Sequence, residues 1–89
     1  MNEKIDLPPR VIEYLNAARA PLPPLTHPDE ELRIDSLGVI RFVAFLETDL
    51  GIRLEDEELV GENFATPRQV SELLKPKLRK AAGGAPSGG

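Results

Sequence analysis

The sequence contains no cysteine and only one histidine. Without cysteine there is no disulfide framework and no thiolate metal site, and cysteine usage points to no particular redox compartment. The lone histidine, His27, is the one candidate base for a serine nucleophile. It lies in Pro21-Leu22-Pro23-Pro24-Leu25-Thr26-His27-Pro28, a proline-rich stretch where a solvated imidazole is the common outcome. A catalytic serine needs a base within hydrogen-bond reach, itself oriented by a third group. Nothing around Ser36 supplies that pattern or a nucleophile elbow, so no catalytic residues are expected. No apolar run approaches the length of a secretion-signal core or a membrane span, so the expectation is a soluble cytoplasmic protein without stable membrane insertion. There is no basic excess either: the net charge is −4, which argues against nucleic acid as the main partner and fits a protein that meets basic surfaces on others.

What is present describes one small domain. A chain of 89 residues with 40% hydrophobic residues buries only about 60–65% of the surface its unfolded form exposes, so the core must be modest. Leu7-Pro8-Pro9, after a polar lead-in, is a plausible helix start because proline is tolerated in a first turn. Val11, Ile12, Leu15 and Ala18 then recur on one face, which predicts a helix over about 9–20; Tyr14 and Arg19 fall off that stripe and read as solvated. The four prolines that follow within residues 21–28 forbid regular helix and impose extended geometry. Leu22, Leu25 and Leu32 are apolar anchors spaced to pin this long loop over the helices.

The strongest helical pattern runs over 36–50. Val39, Phe42, Val43, Leu46 and Leu50 form its core face, with Leu37, Ile40 and Ala44 on the flank and Phe45 placed to fill the groove against the first loop. Asp35 immediately precedes it and can accept the amide of Gly38 as the N-cap. Ser36 is then the first helical residue, its hydroxyl exposed beside unpaired backbone N–H groups and the positive end of the helix dipole. Such a position is worth roughly 0.3–1 kcal/mol to a nearby anion, and Gly38 keeps a side chain from crowding an adduct. Beyond Gly51, Glu55-Asp56-Glu57-Glu58 lacks the alternating ligands and central glycine of a calcium loop. It reads as the solvated face of a short helix over about 56–61, with Leu59 inward and Gly61 ending it. Phe64 is available to plug the core. Thr66-Pro67-Arg68-Gln69 reads as a capping box opening a last helix over about 66–75, with Val70, Leu73 and Leu74 buried and Ala65 and Val70 spaced as a staple. Pro76 should end or kink this helix. Lys75, Lys77, Arg79 and Lys80 then complement its C-terminal dipole. Residues 1–80 form the domain, and the Gly/Ala/Ser/Pro-rich residues 81–89 are expected to be disordered.

Asp35-Ser36-Leu37 heading such a helix closely resembles the acyl carrier protein family. The likeness extends from about Val11 to Leu74 and includes Leu32 before the serine, the core positions Phe42, Val43, Leu46 and Leu50, and the turn at Gly51-Ile52. It implies an all-α fold: a small four-helix bundle of three main helices and one short one, with a long Pro-rich first loop. It also implies 4′-phosphopantetheine attached covalently from coenzyme A to Ser36, with Asp35 and Leu37 beside it and acyl intermediates held as thioesters. A phosphopantetheinyl transferase would supply the metal and any base, which explains why none accompanies Ser36. Leu37, Ile40, Arg41, Ala44 and Glu47 would dock partner enzymes: an acyl-loading ligase or acyltransferase and the synthases of a fatty-acid, polyketide or specialised lipid pathway.

The chain departs from the family at two places. Arg41 stands amid a face that is usually acidic in fatty-acid carriers, and Arg33 stands where glycine is common. The expectation is thus a standalone, monomeric acyl carrier. The alternatives are an aminoacyl, D-alanyl or peptidyl carrier, suggested by Glu62-Asn63-Phe64, and an unmodified helical interaction module. A helix-turn-helix is weakest because neither candidate recognition helix has a basic face.

Overall fold

A computed structural model describes residues 4–82. It contains three α-helices, α1 (Pro9–Arg19), α2 (Ser36–Leu50) and α3 (Pro67–Ala82), and two 3₁₀ turns between α2 and α3, Asp56–Glu58 and Gly61–Phe64. The described residues contain no strand, and the architecture is a small all-α bundle, as expected. Local chemistry sets the helix limits. Pro8 and Pro9 open α1, Asp35 caps α2, and Gly51 at φ 66° ends α2 in the left-handed conformation that glycine tolerates best. Thr66 Oγ1 accepts the amide of Gln69 at the start of α3.

The core is built from Val11 and Leu15 of α1, Phe42 and Leu46 of α2, Val70 and Leu74 of α3, and Leu25, Leu32, Ile52 and Phe64 from the connections. Val39, Val43 and Leu50 reach it only in part. Phe42 is its centre: Phe64 meets it edge-on with ring centroids 6.1 Å apart, and Tyr14 stacks on it at 5.6 Å.

The long first loop is held mainly by side chains of α1 and the start of α3. Asn16 Oδ1 accepts the amide of Leu25 at 2.8 Å. Arg19 is buried. Its Nε donates to the carbonyl of Leu32 at 3.1 Å, its guanidinium donates to that of Pro23 at 2.7 Å, and the Glu30 carboxylate lies 3.6 Å away. The amide of Leu32 donates to Ala65 O, and that of Arg68 to Pro28 O, each at 2.8 Å. Arg68 also grips Asp29 with two nitrogens, at 2.7 and 3.0 Å, and this hydrogen bond holds the Asp29 carboxyl below its ordinary range.

Several sequence expectations are corrected. Arg19 is buried because loop carbonyls need its fork of donors, and Tyr14 is half-buried because it stacks on Phe45 at 4.4 Å. By the same contact Phe45 packs against α1. The short helix over 56–61 is split into two 3₁₀ turns with Gly61 opening the second, and this leaves Leu59 42% exposed. Finally, α3 continues through Pro76 to Ala82. Proline deprives only the carbonyl of Glu72 of its helical donor, and Glu72 is exposed to water. Leu78 packs on the core and Lys77 pairs with Glu58 at 2.9 Å, which offsets the loss. Lys75 and Lys77 thus bind Asp6 and Glu58 from mid-helix instead of complementing a helix end. Of the tail expected over 81–89, Ala81 and Ala82 are helical and 83–89 lie outside the described residues.

Arg33 has φ 59°, the one non-glycine residue among those described with positive φ. The backbone there keeps the conformation that suits glycine while the exposed side chain gains no hydrogen bond from it. Arg33→Gly is expected to stabilise the fold by roughly 0.5–1 kcal/mol, seen as a higher urea midpoint at unchanged slope. A lower midpoint would show that the arginine stem contributes more than its backbone costs.

Candidate functional site

The loop held by Arg19 and Arg68 delivers the chain to Asp35. Asp35 is extended, its Oδ1 accepts the Gly38 amide at 2.8 Å, and its carbonyl accepts that of Val39 at 2.9 Å. Ser36 is therefore the first residue of α2, as expected, and is exposed. Because Asp35 makes the cap, the Ser36 hydroxyl is not engaged in it. The Ser36 and Leu37 amides precede the first intrahelical bond, so neither has an acceptor within the helix. A Cβ on Gly38 would sit 3.2 Å from Asp35 Oδ1 and 3.3 Å from Ile34 Cβ. Glycine at this position thus leaves room for the cap itself, in addition to any clearance it gives an adduct.

Two clefts flank the start of α2. One, of about 380 Å³, is lined by Ile34, Asp35, Ser36, Val39, Ile40, Val43, Leu59, Gly61 and Phe64. Its surface is largely apolar, and it opens beside the serine. The other, of about 410 Å³, lies toward α1 and is lined by Tyr14, Ala17, Ala18, Asp35, Leu37, Gly38 and Arg41. The expected docking residues are thereby divided. Ile40, 64% exposed, borders the first cleft, while Leu37, 54% exposed, and Arg41 border the second. Ala44 and Glu47 are exposed further along the helix. The sequence did not show that Leu59, Gly61 and Phe64 would return to form the far wall of the first cleft. The one local hint is the adjacent pair Leu59 and Val60, left exposed after an acidic run.

His27 accepts the amide of Asp29 through Nδ1 at 3.1 Å, a local turn contact. No group of three or more His, Asp or Glu side chains among the described residues is placed to hold a metal ion. No helix among them is long and apolar enough to cross a membrane.

A family model described as a phosphopantetheine attachment site matches residues 10–74. No curated protein and no solved structure matches the chain.

Proposed function

The chain belongs to the phosphopantetheine attachment-site family, and from that membership we propose that it is an acyl carrier protein with 4′-phosphopantetheine ester-linked to Ser36. A phosphopantetheine carrier role follows from the family, whose domains are modified by a phosphopantetheinyl transferase and are generally not catalysts. Bound there, the arm supplies a terminal thiol on which an acyl group is held as a thioester. The observation that carries the assignment is Ser36 itself: an exposed hydroxyl at the first position of α2, left free by the Asp35 cap. The residues fit a phosphate ester, since the Ser36 and Leu37 amides and the helix dipole favour negative charge at that point. Acyl rather than aminoacyl cargo is favoured by the lining of the neighbouring cleft, where Ile34, Val39, Ile40, Val43, Leu59 and Phe64 would shelter methylene groups. Each methylene buried is worth about 0.8 kcal/mol. The test is the intact mass of the pure protein after incubation with coenzyme A, magnesium and a broad-specificity transferase: a gain of one phosphopantetheine is expected, and no gain on folded protein would refute the reading.

Arg41 points to a dedicated set of partner enzymes, with the general fatty-acid machinery a poor match. It is exposed beside Leu37, where a partner that selects acidic carrier helices would meet a like charge. Such repulsion mainly slows encounter and rejects wrong partners. Arg41→Glu is expected to raise kcat/KM for a fatty-acid-type acyltransferase by about three- to tenfold at low salt, with the gain shrinking as ionic strength rises. Unchanged rates would remove Arg41 from the recognition surface.

A further inference from the structure

Leu54 and Phe64 belong to the core, but between them no residue is buried. This stretch nonetheless supplies one wall of the apolar cleft beside Ser36, through Leu59 and Gly61. Apart from Phe64 at its C-terminal edge, this wall has no buried apolar anchor, so the stretch before Phe64 has to be held by polar ties, and these converge on Glu58. Its Oε1 accepts the Glu55 amide at 2.8 Å and the Lys77 ammonium at 2.9 Å, and its carbonyl accepts Asn63 Nδ2 at 2.8 Å. The Glu58 and Lys77 side chains are only 27% and 21% exposed, against 73% and 50% for the Asp6–Lys75 pair. Solvent therefore screens the Glu58–Lys77 pair less than most surface pairs. The Glu58 carboxyl is held below its ordinary range, first by the Glu55 amide and then by Lys77. Lys77 lies in the part of α3 beyond Pro76 and outside the matched residues 10–74. The helix must pass the proline to bring it there.

We propose that Lys77 is a positioning residue for the cleft: through Glu58 it latches the 55–63 wall, and the opening of that wall sets how far an acyl group in the cleft is shielded from water. The shielding part rests on the carrier reading above. The latch itself does not, because it concerns the unmodified chain. Segments with few buried contacts open locally at low free energy, and here an ion pair from another element adds to that free energy. The continuation of α3 past Pro76 thereby acquires a role at a site on the other side of the 3₁₀ turns.

The test begins with amide hydrogen exchange on the unmodified protein. The reporters are Glu58, Leu59 and Asn63, whose amides donate to the carbonyls of Glu55, Asp56 and Val60. In Lys77→Met, which keeps the stem and removes the charge, these three should exchange about fivefold faster. Val39 in α2 and Val70 in α3 should be unchanged, and Lys77→Arg should restore the original rates. Protein carrying an octanoyl arm is then treated with hydroxylamine, and the thioester of Lys77→Met should be cleaved faster by a similar factor. Uniform acceleration across α3, unchanged exchange at the three reporters, or faster exchange with unchanged cleavage would each overturn the proposal. If the wild-type protein takes no arm, the carrier reading fails, and the exchange rates still decide the latch.

Discussion

Ser36→Ala is expected to abolish phosphopantetheine loading while leaving the fold within about 0.5 kcal/mol of the original. Both halves follow from the division of labour at the start of α2. On the proposed attachment, loading would form an ester between Ser36 Oγ and the pantetheine phosphate as the nucleotide portion of coenzyme A leaves, so removing Oγ would remove the acceptor. Stability is spared because the Gly38 amide is satisfied by Asp35 and Ser36 is exposed. Asp35→Ala is the converse control. It costs about 1 kcal/mol through the lost cap and slows loading without eliminating it, since the hydroxyl is still present. Intact mass reads the loading, and urea midpoints read the stability. If Ser36→Ala still gains an arm, the attachment point moves to another hydroxyl, such as the exposed Thr26 or Thr48 or the half-exposed Thr66, none of which lines the apolar cleft.

The parts of this fold legible in the sequence are those decided by neighbours in the chain. Asp35 and Gly51 mark the limits of α2 because capping and left-handed termination need only residues within one turn. The family likeness rests on the same short-range signals, with Leu32, Phe42 and Leu46 at fixed spacings. What was illegible depends on partners distant in sequence. Tyr14 lies off the apolar stripe of α1, and only the return of α2 gives its ring Phe45 to stack on. Pro76 obeys a local rule that says stop, but Leu78 and Lys77 find partners beyond it and the helix goes on. The cleft is the clearest case. One wall is helix α2, and the other comes from residues 59–64, whose arrangement no periodicity describes. Ser36 and the apolar surface that Leu37 and Ile40 of its own helix offer beside it could therefore be picked out from the sequence, but the far wall of the cleft could not.

Arg19→Ala should be strongly destabilising for a single polar-contact change, on the order of 2–4 kcal/mol. Its side chain is 3% exposed and donates to the carbonyls of Leu32 and Pro23, with Glu30 at 3.6 Å. Truncation strands the buried Leu32 carbonyl, leaves the part-buried Pro23 carbonyl to water, and removes the partner of a carboxylate in one step. Each buried group left unpaired costs about 1–3 kcal/mol. Glu30 is one-third exposed and can turn to water, which keeps the loss below the sum. In a domain of this size the melting temperature should fall by about 10–20 °C. Arg19→Lys should recover only part of it, because a single ammonium cannot span two carbonyls as the planar fork does. Arg79→Ala, on an exposed face of α3, should stay within about 0.5 kcal/mol. The damage should also reach the site, since the loop that Arg19 clamps ends at Asp35, and Leu32 and Ile34 carry the clamp to the cleft. Amide exchange at Leu25 and Leu32 should therefore accelerate in Arg19→Ala before the helices do. A loss under about 1 kcal/mol with those amides unchanged would mean that the apolar anchors Leu25 and Leu32 hold the loop by themselves, and that the buried guanidinium sets its path without stabilising it.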